Sequence, residues 1–136
     1  MTPSFIKGFI VTLIIIVAAD LFWHAWLMAD FYNSHLSAIN GAPESLAFPP
    51  FVLLFEVVAA LCITYFVQGT LRNRSIVGGA LRGAALGLLI TCSINFVDHS
   101  VIMKWDLTLA FVDIVWGIVT GLIAGGVLAA MSKKRA

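Results

Sequence analysis

Apolar residues run almost unbroken through four stretches of this chain, and polar residues gather between the stretches or at a few isolated positions inside them. The runs cover roughly residues 5–28, 50–68, 76–98 and 107–131. A hydrocarbon core about 30 Å thick takes about 20 helical residues to cross. Within it only helices or closed barrels leave no backbone group unpaired. Runs this long predict an all-α integral membrane four-helix bundle, with residues 1–136 as a single domain. Pro49 and Pro50 suit the start of the second helix. The run after Lys7 exceeds the apolar core of a signal peptide, and Asp20 and Trp23 fall where cleavage would be expected, so it reads as a retained helix.

The connections differ in character. Residues 29–48 form the longest, with Asn33, Asn40, Gly41 and Pro43 as breakers. Its Phe31–Tyr32 pair and the preceding Trp26 suit the membrane interface. The links at 69–75 and 99–106 are short. The first carries Arg72 and Arg74, the second Lys104 and Trp105.

Composition strengthens the membrane assignment. The chain is 61% hydrophobic and 11% charged, with a mean hydropathy of +1.03, which leaves too little polar surface for a soluble domain of this size. The lipid bilayer is thus the first partner, and no nucleic acid is expected. Cys62 and Cys92 both fall in apolar runs and read as packing thiols, not as a disulfide or a metal pair.

Charge fixes an expected orientation. Lys7, Arg72, Arg74, Arg82, Lys133, Lys134 and Arg135 share one side, and only Lys104 lies at the other. The positive-inside rule then places both termini in the cytoplasm of a multi-pass protein of a bacterial inner membrane. All seven acidic residues and all three histidines fall in the opposite half.

Two sets of small residues predict where helices touch. Gly79, Gly83 and Gly87 on the third helix, and Gly117, Gly121 and Gly125 on the fourth, each recur every four residues. That pattern lets backbones approach closely in lipid. Both ladders lie in the basic half, so the helices are expected to pinch together there and leave room for a cavity at the acidic side.

At about 1.5 Å per residue, Asp20, Glu56, Asp98 with Asn95, and Asp113 reach similar depths on their four helices. His24 lies at i+4 from Asp20, on the same face, and His99 follows Asp98. An ionisable side chain within a span costs about 2.5–3.5 kcal/mol on insertion scales, so such groups face protein or a water-filled cavity. The carboxyls cannot all be ionised together without a counter-cation: either some carry protons or a cation sits among them. Asp20, His24 and Asp113 could supply ligands to a divalent metal ion, and an interhelical hydrogen bond accounts for Asp20 and His24 as well. Glu56 reads either as a neutral acid bonded to a neighbouring helix or as a proton carrier or ligand contact. Asp98 and His99 could be helix-end residues in water. Asp113 lies too deep for a simple cap. Trp23, Trp26, Trp105 and Trp116 suit the interfacial belt or a pocket wall.

Asp20-Leu21-Phe22-Trp23 echoes Asp113-Ile114-Val115-Trp116, on helices of opposite direction, so an inverted pseudo-repeat is conceivable. No phosphate loop, nucleophile elbow, zinc-protease or haem-attachment motif occurs. Ser93, Asp98 and His99 do not make a catalytic triad, because neighbours on one helix point in different directions.

With Asp20-x-x-Trp23, Phe31-Tyr32, Gly83 and Gly87, and Trp105 leading to Asp113-x-x-Trp116-Gly117, the chain resembles a bacterial family of small membrane proteins, domain of unknown function twenty-one seventy-seven. The likeness spans nearly the whole chain. It departs where Asn95 precedes Asp98, since the family places Asp before Asn, and where Asp106 follows Trp105 in place of a Pro. The resemblance implies four helices and a functional polar cluster, and no particular activity.

The expected function is a pocket that binds a cation, metal or small ligand through Asp20, Trp23, His24, Glu56, Asn95, Asp98, Asp113 and Trp116. Transport would call for a homo-oligomer, because four helices are few for a carrier. A membrane-embedded enzyme acting on lipid or isoprenoid groups is an alternative, less favoured because no nucleophile is evident. A structural subunit whose polar cluster only joins helices is another.

Overall fold

A computed structural model describes residues 2–40, 50–70 and 75–133. Helix α1 spans Pro3–Phe22 and continues through a π-helical turn at Trp23–Leu27. Helix α2 spans Ala29–Asn40, α3 Pro50–Thr70, α4 Ile76–Val101 and α5 Leu107–Lys133. Residues 3–27, 52–69, 76–101 and 107–132 are each long and apolar enough to cross a membrane, as the four hydrophobic runs predict.

Local chemistry sets the helix starts. The Thr2 hydroxyl accepts from the Phe5 amide at 3.3 Å, and Pro3 opens α1. Ser75 accepts from the Gly78 amide at 3.2 Å and Asp106 from the Leu109 amide at 2.8 Å. Each side chain satisfies a donor that a helix N-terminus otherwise leaves free.

The segment after α1 departs from the sequence expectation. The first run is not one regular α-helix to residue 28. The Met28 amide reaches back five residues to the Trp23 carbonyl at 2.8 Å, which closes a π turn of the kind found at functional sites. Met28 then leaves the helical region, with φ −115° and ψ 17°. Residues 29–40, expected as the start of a long connection, form α2, and Asn33 lies inside it. Asn is only a weak helix breaker, Asp30 sits favourably in the first turn, and burial of Tyr32 supplies tertiary support. Gly41 and Pro43 lie outside the described residues.

The tightest contact is between α4 and α5. Gly79, Gly83 and Gly87 lie against Gly125, Gly121 and Gly117 in antiparallel order. A Cβ on Gly83 would fall on the Gly121 carbonyl oxygen, and one on Gly121 on that of Gly83. Helix α3 packs mainly on α1 and also touches α5 and α4. The apolar core joins Ile16 of α1, Ala60, Ile63 and Val67 of α3, and Ala124 and Leu128 of α5. Core and ladder both lean toward the basic end of the bundle, where α1 begins with Lys7. The opposite end is held together by polar groups.

Gly83→Ala is expected to destabilise the bundle by about 1–3 kcal/mol, because two backbones must separate. Gly126→Ala is expected to be tolerated, since its Cβ would meet Ala80 at an ordinary 3.6 Å. Reversible unfolding in mixed micelles compares them; equal losses would contradict the ladder's role.

Candidate functional site

Between α1, α3, α4 and α5, bordering the apolar core at Ile16 and Ile63, lies a cavity of about 410 Å³. Three helices turn a carboxyl toward it: Asp20 from α1, Glu56 from α3 and Asp113 from α5. His24 of the π turn, Asn95 of α4 and Trp116 of α5 complete its polar wall. Asp98, one turn beyond Asn95, does not line the cavity. Trp23 does not line it either, yet its ring stacks on Trp116, with centroids 4.3 Å apart and planes 6° from parallel.

The two stacked indoles feed two carboxyls. Trp116 Nε1 donates to Asp20 Oδ1 at 2.5 Å. Trp23 Nε1 donates to the Tyr32 hydroxyl at 3.1 Å, and that hydroxyl donates to Asp113 Oδ1. The echo between Asp20-x-x-Trp23 and Asp113-x-x-Trp116 therefore has a structural counterpart: each Trp serves the other motif's Asp, one directly and one through Tyr32. The Asn95 amide donates to the Thr91 carbonyl at 3.1 Å and lies near Asp113, and Trp105 Nε1 donates to Asn95 Oδ1 at 3.3 Å. At the other end, the carboxyls of Asp20 and Glu56 lie close enough to share a hydrogen bond. Such a bond requires a proton on one of the two. Glu56 is only 2% exposed, and its Oε2 has no partner among the described residues.

His24 does not aim at the Asp20 carboxylate. Its Nδ1 lies 3.1 Å from the Asp20 backbone carbonyl, and its ring leans on Tyr32. Asp20 Oδ1 and Asp113 Oδ1 are already occupied by indole and phenol donors. Among the described residues no three of His, Cys, Asp and Glu come together in a metal-binding group, so the expected set of Asp20, His24 and Asp113 is not assembled as one. The i, i+4 spacing does bring His24 beside residue 20, but onto its backbone carbonyl and not its carboxylate.

Tyr32 is the residue the sequence reading missed. It was expected at the membrane interface, as half of an aromatic pair. It is instead 4% exposed and bridges Trp23 to Asp113. Burial, with the Asp113 carboxylate next, holds its hydroxyl protonated well above the ordinary phenol range. A helical reading of residues 29–40 would have found it, since Tyr32 would then share a face with His35 and Leu36. Trp105 likewise closes the site through Asn95. His35 pairs with Asp106 at 3.4 Å and docks α2 beside the start of α5.

Four helices long and apolar enough to cross a membrane, packed around a cavity that three carboxyls reach, define the class, a small polytopic membrane protein. The chain belongs to the DUF2177 family of predicted membrane proteins, whose model matches residues 5–130. No curated protein and no solved structure matches it.

Tyr32→Phe removes a hydroxyl with two partners and is expected to cost about 1–3 kcal/mol. Because the Tyr32 pKa is raised on folding, its contribution is fully present below its unfolded value near 10.0 and is lost as pH climbs beyond that. Thermal unfolding in nanodiscs should show wild-type stability falling above about pH 10, and a smaller alkaline loss in Tyr32→Phe.

Proposed function

We propose that this protein binds, inside the membrane, an amphiphile with a cationic or hydrogen-bond-donating head and an apolar body. The observation that carries this reading is the unpartnered Glu56 Oε2 within an otherwise mainly apolar cavity. A buried acceptor without a donor is costly, and an ammonium or hydroxyl head would relieve it with a charge-assisted bond. The paired Asp20 and the nearby Asp113 favour the same head. Val52, Phe55, Ala59 and Ile63 of α3, with Ile90 and Ile94 of α4, offer the body an apolar wall.

Exposure indicates the route. Of the lining residues, Val52 and Phe55 are each 37% exposed and Ile94 39%, whereas Ile16 on α1 is 5% and Thr120 on α5 is 8%. The rim thus lies between α3 and α4 and faces lipid. Entry from the bilayer suits an amphiphile better than a free hydrated ion.

The charge segregation supports an orientation with both termini in the cytoplasm of a bacterial inner membrane and the cavity in the outer half. In cells lacking Cys62 and Cys92, Lys134→Cys is expected to react with an impermeant maleimide only after the cytoplasmic face is opened, and Met103→Cys from outside. The reverse pattern would invert the orientation.

Dodecylamine, titrated into nanodiscs, is expected to change tryptophan fluorescence saturably through Trp116. Glu56→Gln should weaken this about tenfold, as loss of a charge-assisted bond implies, and dodecanoate should give no saturable change. Identical curves for both probes, or no effect of the substitution, would leave the polar groups as a helix-joining network only.

A further inference from the structure

The cavity holds a carboxyl pair, and among the described residues no Lys or Arg lines it. Asp20 of α1 and Glu56 of α3 lie close enough to share a hydrogen bond, and such a contact between two acids needs one proton between them. Glu56 is 2% exposed, and its Oε2, without a partner among the described residues, is left to face whatever enters. The titratable groups that share the cavity with Glu56 are Asp20 of α1, His24 of the π turn and Asp113 of α5, and α4 presents the neutral Asn95. Asp113 Oδ1 already accepts from the Tyr32 hydroxyl, and His24 Nδ1 lies on the Asp20 backbone carbonyl.

Two carboxyls this close ionise together only when a cation stands beside them. A cationic head brought to Glu56 Oε2 is such a cation. It favours the ionised acids twice, by its charge and by the hydrogen bond it donates. The shared proton and the head therefore oppose each other, and by linkage each weakens the binding of the other by the same factor. A neutral hydroxyl head meets the same oxygen without bringing a charge and leaves the proton in place.

We propose that the cavity exchanges a proton for its ligand: a cationic amphiphile enters from the bilayer as the proton shared by Asp20 and Glu56 leaves. The exchange rests on the amphiphile reading above and adds a coupling to it. One carboxyl O–H bond breaks, the proton passes to water, and an N–H of the head donates to Glu56 Oε2. No covalent bond to the ligand forms and no electron moves. One positive charge enters as another departs, so the net charge buried among these helices stays constant, where an added unpaired charge would be costly. Acidification then expels a cationic ligand, and a rise in pH loads it.

The test uses the full chain in zwitterionic nanodiscs and dodecylguanidinium, whose head donates hydrogen bonds and keeps its charge throughout. Calorimetric titration in buffers of different ionisation enthalpy counts the protons released per ligand bound, with protein-free nanodiscs as the blank for partition into lipid. About one proton per ligand is expected even at about pH 8, where an ordinary imidazole is already neutral. The apparent Kd should fall about tenfold per pH unit between about pH 6 and 8, as one-for-one exchange requires. Dodecanol should bind with no proton released. Glu56→Gln keeps the donor that a protonated acid supplies; it should bind dodecylguanidinium about tenfold more weakly, release no proton and lose the pH dependence. Saturable binding of dodecylguanidinium with no proton released overturns the exchange and leaves the amphiphile reading standing. A release that persists in Glu56→Gln also overturns it. No saturable binding of either probe removes both. The wild-type proton count needs no variant to decide the matter.

Discussion

Everything at the acidic end of this bundle depends on one constraint: lipid offers no hydrogen bonds, so each polar group must find its partner inside the protein. The answer here is a chain of contacts from Asp113 through Tyr32 and Trp23, across a ring stack to Trp116 and Asp20, with the Trp105–Asn95 pair beside Asp113 and Glu56 beside Asp20. It takes a member from each spanning helix, and one from α2. The apolar core and the glycine ladder perform the corresponding task at the basic end. The cavity lies in the half where the helices are joined by side-chain tips and not by backbone contact.

This division explains why the site is partly unsatisfied. Apolar packing can fill space to close contact with small residues alone. Polar side chains of fixed length and direction cannot, so a network that spans four helices leaves a void wherever its members do not meet. Glu56 sits at the end of the chain with one oxygen to spare, and that oxygen is what gives the void chemical character. The Trp23–Trp116 stack adds rigidity: two flat rings in contact hold the Asp20 and Asp113 halves at a set separation.

The four spans, the two glycine ladders and the depth of Asp20, Glu56 and Asp113 were legible in the sequence, because each follows from length, spacing and the 1.5 Å rise of a helix. The partner of His24 was not: the i, i+4 spacing brings it beside Asp20, but its ring meets the Asp20 backbone carbonyl and not the carboxylate, which spacing does not decide. Nor was α2, whose helical state rests on burial of Tyr32 and the His35–Asp106 pair more than on propensity. Tyr32 itself carried an interfacial signal, and only the fold of residues 29–40 brings its hydroxyl inward to Asp113. Asp98 shares the composition of the site but lies a turn beyond the residues that form it. Distance along a helix was readable, and direction around it was not.

The glycine ladder brings α4 and α5 close without telling them where to stop. Because its members recur every four residues, a slide of one full turn would still set Gly79 against Gly121 and Gly83 against Gly117, so close approach alone leaves the pairing ambiguous. The address comes from the link between the helices. The Trp105 amide returns to the Ile102 carbonyl at 3.2 Å, and Lys104 takes the left-handed conformation, with φ 70°, that so tight a reversal demands. The turn presents the Trp105 indole to Asn95, and the spacing that follows places Asp113 close by. A sliding contact is thereby converted into a single fixed register by a few residues at its far end.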